Sequence, residues 1–199
     1  AFMCAATRPD GGSHAELIHR SPTGPCVAWH ATSTRKGTQM DDRKFEQKLW
    51  DHLESDRTVM LGLASDPAGH SRPMTAMLDK QTPGVIWFFT STENLLAQQA
   101  AAPTAAFCAF SSKGHELFAT ISGSVQTVLD REVVDRLWNA FIAAWYEGGK
   151  DDPKLILLRF SPDEAEIWLN EHSLVAGLKV LLGRDPKKDY EDKVAKVDL

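Results

Sequence analysis

The chain has 199 residues, 43% hydrophobic and 25% charged, with a formal net charge of −5. That is the composition of one ordinary globular domain with a real core, and it argues against the basic face of a nucleic-acid binder. The most apolar stretch, Gly84 to Ser91, is strand-length, far short of the roughly 18 apolar residues that read as a membrane-spanning helix.

Residues 1–40 hold Pro, Gly, Ser or Thr at 15 positions and carry four Lys/Arg against two Asp/Glu. A poorly ordered extension is expected there, with a boundary at Met40 and no secretory signal. A first helix is expected from about Arg43 to Glu54, capped by Asp41 or Asp42, with Phe45, Leu49 and Leu53 on one face. Arg57 to Ala64 reads as a strand, and Asp66-Pro67-Ala68-Gly69 as a turn. Ser71 to Leu78 alternates like a second strand, in which Pro73 marks an edge or a bulge. Pro83-Gly84 turns the chain into a strand from Val85 to Thr90.

Ser91 or Thr92 can cap a short helix, Glu93 to Ala101, stopped by Pro103. Strands are expected from Thr104 to Phe110 and from His115 to Leu129, with Gly123 signalling a bulge or bend. Asp130 then caps a helix expected to run from Arg131 to Glu147. Its apolar stripe holds Val133, Val134, Leu137, Trp138, Phe141, Ile142 and Trp145, and Gly148-Gly149 ends it. Two strands, Lys154 to Phe160 and Glu164 to Leu169, are expected on either side of Ser161-Pro162-Asp163. Ser173 to Leu182 reads as an amphipathic helix. The tail from Gly183 to Leu199, with five basic and five acidic residues, is expected to be solvated and loosely held. Strands in hairpin-like groups argue for a mainly β, α+β fold: an antiparallel barrel with helices outside, not a doubly wound sheet.

Several active sites are missing. There is no G-x-G-x-x-G after a strand, no G-x-x-x-x-G-K-[ST] and no G-x-S-x-G. The seven histidines are scattered with no pair at i, i+4, so no metal site is expected. Asp151-Asp152 reads as a turn before Pro153, and His115 as an ordinary surface histidine. Cys4, Cys26 and Cys108 fit no zinc spacing. Cys108 reads as a small buried hydrophobe, and a reducing cytoplasm is the simplest compartment.

Four segments together carry a resemblance. They are Ser71-Arg72-Pro73-Met74-Thr75, Val85 to Ser91, Ile121-Ser122-Gly123-Ser124-Val125, and Asp130-Arg131 with Leu137-Trp138-Asn139 through Trp145. Gly148-Gly149-Lys150-Asp151-Asp152-Pro153, Leu155 to Phe160 and Ile167-Trp168 complete it. In order and spacing the chain resembles the general stress protein branch of the pyridoxamine 5'-phosphate oxidase-like, FMN-binding split barrels, over about Asp42 to Leu169. The resemblance implies a six-stranded antiparallel split barrel, so the domain is expected over residues 41–172, with the C-terminal helix and charged tail read from the sequence pattern over 173–199. The resemblance also implies a homodimer with FMN at the interface, FAD being tolerated if the phosphate end is open.

On the same basis Arg72, Pro73, Met74 and Thr75 would run beneath the flavin, with Arg72 near the phosphate. Phe89, Thr90 and Ser91 would lie near the ribityl chain and phosphate, and Trp138 or Trp145 would reach the partner's ring. The chemistry agrees: Arg is a permanently charged fork suited to phosphate, and a flat ring wants apolar walls with a few polar groups. One departure stands out. The family usually places a basic residue just inside the short helix, where this chain has Leu95 and Leu96; Lys113 of a neighbouring loop is the candidate substitute.

The leading expectation is a flavin-binding protein of a stress response, acting as a flavin reservoir, sensor or slow redox partner, with no catalytic residue assigned. Two alternatives stay open. One is a flavin-dependent oxidoreductase on a small molecule, in which a B6-vitamer oxidase is disfavoured because Asn170-Glu171-His172 stands where the family carries an Arg-containing segment. The other is a split-barrel dimer that has lost its ligand. Taken singly, Arg72 reads as a surface residue, and Trp138 and Trp145 as core or interface.

Overall fold

The computed structural model describes residues 39–170 and 193–199. The extension over 1–38 and the helix expected from Ser173 lie outside the described residues. Helix α1, Gln39–Asp56, starts before the expected Arg43 and buries Leu49 and Leu53 completely. Strands β1 (Thr58–Leu63), β2 (Ser71–Thr75), β3 (Met77–Leu78) and β4 (Ile86–Ser91) follow, then the five-residue helix α2 (Leu95–Gln99). Strands β5 (Thr104–Ser111) and β6 (Leu117–Val128) lead into α3 (Arg131–Leu137) and α4 (Ala140–Ala143). A 3-10 turn at Gly149–Asp151 precedes β7 (Leu155–Leu169), and β8 (Val194–Asp198) ends the chain.

All strand pairings are antiparallel, in the order β2-β1-β5-β6-β7-β4-β3, with β8 added against β7. The expected single strand Ser71 to Leu78 breaks at Ala76, and that break closes the barrel. Before it, β2 pairs with β1; after it, β3 pairs with β4 at the other end of the sheet. Ala76 is fully buried, and its N–H donates to Arg57 O at 2.6 Å. With β2–β3 counted as one crossing strand, six strands form the split barrel and β8 is a seventh at its side.

Two expected strands fuse into β7. Leu155 to Phe160 pair with β4, and Glu164 to Trp168 with β8, so Ser161-Pro162-Asp163 falls between the two partners. Pro162 therefore sits where no N–H is called for on that side. Opposite it the ladder slips between Ser122 and Gly123, the bulge that Gly123 signalled. A Cβ on Gly123 would lie 2.2 Å from Ser161 O, so the strands meet there only because the side chain is absent.

The helix expected over 131–147 also breaks. Trp138 takes an extended ψ of 132°, and the Asn139 side chain accepts from the Phe141 and Ile142 N–H groups at 2.9 and 3.1 Å. Asn competes with helix continuation by capping a new one. The result is two cores. The barrel interior is filled by Leu61, Phe88, Cys108, Ile121, Phe160 and Ile167 among others. Outside it, Val133, Val134 and Ile142 pack on Met77, Trp87, Leu155 and Leu157. Arg136 fastens α3 to the turn after β3 through two hydrogen bonds to Asp79, 2.7 and 3.1 Å.

Candidate functional site: the cleft at the barrel split

β2 pairs with β1 alone, and β4 beyond Trp87 pairs with β7 alone. The two strands therefore diverge from Ala76 with facing edges that carry no common ladder. A cleft of about 400 Å³ opens between them, within the usual range of small-molecule sites. Pro73, Met74 and Thr75 line it from β2, and Phe89, Thr90 and Ser91 from β4. Asn94, Met77 and the Phe141-Ile142, Trp145-Tyr146 segment complete it.

The break at Asn139 builds that last wall. It turns Phe141 and Trp145 out of the expected buried stripe, leaving them 62% and 74% exposed at the cleft. Tyr146 turns inward, and its hydroxyl donates to Thr90 O at 2.9 Å. Burial, with a smaller push from Asp152, raises the Tyr146 pKa to about 12, so it stays a neutral donor. Trp138 packs edge-on against Phe89 and tilted against Tyr146, each at 6.1 Å.

The same Thr90 is tied to Arg72: Arg72 Nη1 donates to Asn94 Oδ1 at 3.1 Å, and Asn94 Nδ2 donates to Thr90 Oγ1 at 3.0 Å. The Asn94 oxygen also accepts from Leu96 N at 3.0 Å. Asn94, not Ser91 or Thr92, is thus the cap of α2; Ser91 Oγ instead accepts from Glu93 N. Among the described residues no carboxylate pairs with the half-buried Arg72. Leu96 is buried, whereas Leu95 is 52% exposed. Lys154, where β7 begins, is held by Glu93 at 3.0 Å.

Seven of the expected residues line the cleft: Pro73, Met74, Thr75, Phe89, Thr90, Ser91 and Trp145. Arg72 reaches it through Asn94. Two others are not among its lining residues. Trp138 stands behind Phe89 and Tyr146. Lys113 lies in the β5–β6 turn, its N–H bonded to the Asp56 carboxylate, past the Thr58 end of β1 and away from Arg72, which pairs with Leu61. Met77, Asn94, Phe141, Ile142 and Tyr146 line the cleft without having been expected there. Asn94 did carry a signal, a good capping residue directly before an apolar pair. Phe141 and Tyr146 became site residues only through the helix break. Among the described residues no cluster of His, Cys, Asp and Glu could hold a metal, and burial holds the Cys108 thiol far above its ordinary pKa.

The family model "pyridoxamine 5'-phosphate oxidase like" matches residues 44–190. A crystal structure of a general stress family protein from Xanthomonas campestris pv. campestris is 56% identical, covering 68% of this chain and 93% of that one with a TM-score of 0.63. The general stress FMN/FAD binding protein from Xanthomonas citri is 55% identical over 68% of this chain and 95% of that one, also with a TM-score of 0.63. General stress protein 26 from Bacillus subtilis (strain 168) is 24% identical over 131 residues, 64% of this chain and 91% of its own length. With a family model matching most of its length and close relatives of one kind, this chain belongs to the pyridoxamine 5'-phosphate oxidase-like family, in its general stress protein branch.

Proposed function

We propose that the protein is a flavin-binding protein that works as a homodimer and holds FMN, with FAD tolerated, in the cleft between β2 and β4. The observation that carries this is the cleft's polarity. Asn94 and Thr90 give it polar groups, with Arg72, which meets no carboxylate among the described residues, behind Asn94; Pro73, Met74, Phe89, Phe141 and Trp145 form an apolar and aromatic wall. A phosphorylated planar ring has the same division. The FMN/FAD binding described for the Xanthomonas citri relative supports the same reading.

Bound flavin would supply reversible electron transfer at its ring. This chain's own residues would do less. Arg72 and Asn94 hold the anionic end, the unpaired edges of β2 and β4 offer backbone donors and acceptors, and Trp145 with Phe141 shields one side from water. Tyr146 alone among the lining residues titrates, and only near pH 12. The cleft thus brings no general acid or base from this chain at neutral pH. That favours a flavin reservoir, sensor or slow redox partner in a stress response over a fast oxidoreductase. Leu95 and Leu96 in place of a basic residue imply a looser phosphate hold, weaker by roughly ten- to a hundredfold.

The dimer rests on a second feature. β1, β5 and β6 contain no charged residue at all, and their outward positions include Met60, Phe107, Ala109, Phe118, Thr120 and Ser122. An uncharged sheet face of that width calls for a cover. Pro73, paired with Met60, joins it to the cleft. Titrating FMN into the purified protein while following tryptophan emission tests the reading: Trp145 should be quenched in a saturable way. A flat titration to high micromolar flavin would leave a dimer without ligand. Rapid bleaching of bound flavin by NAD(P)H would favour the oxidoreductase instead.

A further inference from the structure

A second cavity of about 190 Å³ adjoins α2 and is lined by Leu63, Ser65, Asp66, Pro67, His70, Arg72, Leu95, Leu96 and Gln99. Arg72 is the hinge between the two spaces. It lines this cavity and reaches the border of the cleft through Asn94. Resting on the flavin reading above, the geometry points to this cavity as the seat of an adenosine moiety, making the paired sites a receptor for the whole of FAD rather than for FMN alone.

Three observations carry the assignment. A half-buried guanidinium with no carboxylate partner among the described residues uses one of its five N–H groups on Asn94. The remaining fork suits a phosphate or pyrophosphate lying between the two spaces. The cavity has about half the volume of the cleft, which suits a two-ring purine better than a three-ring flavin. Its walls also match a purine. Leu63, Pro67, Leu95 and Leu96 give apolar surface for the ring faces, and Ser65, Asp66, His70 and Gln99 give polar groups for the edge and ribose. Asp66 is held in place there, accepting from Ala68 N at 2.9 Å and sitting 3.3 Å from His70 Nδ1. Leu95 at the first position of α2, half exposed, is an apolar residue that a ring face would cover.

The test compares FMN and FAD titrations of the full chain, unaltered and as Leu95→Lys and Gln99→Trp. Both positions are exposed, so folding should survive, and thermal melts of each variant check this. The unaltered protein should bind FAD at least as tightly as FMN. Each variant should shift the FMN-to-FAD preference toward FMN by roughly tenfold, the scale of one lost contact set. Leu95→Lys adds a cation for the monophosphate and Gln99→Trp fills the cavity. Preferences that stay within twofold across the three proteins would overturn the adenosine seat while leaving flavin binding intact. Titrations flat for both flavins would overturn the flavin reading and this inference with it.

Discussion

Among the described residues the Arg72 side chain donates one hydrogen bond, to Asn94, and meets no carboxylate. A charge held that way is available to an anion, so Arg72→Ala should weaken FMN binding roughly ten- to a hundredfold in a fluorescence titration. Arg72→Lys should recover only part of that, since it returns the charge without the planar fork. Beside Asn94, which bonds the Thr90 hydroxyl, Tyr146→Phe removes the donor to Thr90 O. It should cost about 1 kcal/mol in urea unfolding, the usual net worth of one such hydrogen bond. The sequence made Arg72 legible through the Arg72-Pro73-Met74-Thr75 segment. It hid Asn94 behind Ser91, Thr92 and Glu93, which make an equally good cap on paper. Which one caps depends on where the chain leaves β4, a matter of β-pairing with distant Leu155 and Ile156.

Elements were legible wherever local pattern and tertiary need agreed. The bulge at Gly123 is the clearest case, and it fixes how β6 meets β7. Gly123→Ala drives a Cβ into the Ser161 and Pro162 backbone; because backbone has little room to yield, a loss of roughly 1–3 kcal/mol is expected, read as a lower urea midpoint at unchanged slope. The long helix was misread because an apolar stripe continued from Trp138 to Phe141 and Ile142, while the Asn139 cap and the contacts of Trp138 with Phe89 and Tyr146 took over. Pro162 was misread as a turn because its missing N–H falls between two partner strands. The tie between α3 and the turn after β3 gives a pH signature. Hydrogen bonds from Arg136 hold the buried Asp79 carboxyl below its ordinary pKa. Its contribution is therefore complete above the unfolded value near ~4 and fades as pH falls through the lower folded value. The stability gap between the unaltered protein and Asp79→Asn should be constant from neutral pH to about pH 5 and shrink below pH 4, measured by urea unfolding across that range.

For the whole molecule, the uncharged β1, β5 and β6 face predicts assembly. Met60→Glu places a charge on it, beside Pro73 and Ala109. It should convert the proposed dimer to monomer in sedimentation velocity and lower the affinity for added flavin. A monomer that keeps full affinity would mean that one chain suffices. The barrel was legible as a class from its hairpin grouping, and the family from motif order. Its closure was not, because nothing local says that one stretch serves both ends of a sheet; nor was β8, drawn from a tail whose charges read as solvated although Val197 is buried against the core. The crossing at Ala76 has a wider consequence. Since the chain that shuts the barrel also floors the cleft, a bound molecule would act as a keystone across the gap between β2 and β4. Empty copies would breathe there and be the ones proteases reach, so the cellular amount of this protein would rise and fall with the supply of what fills the gap.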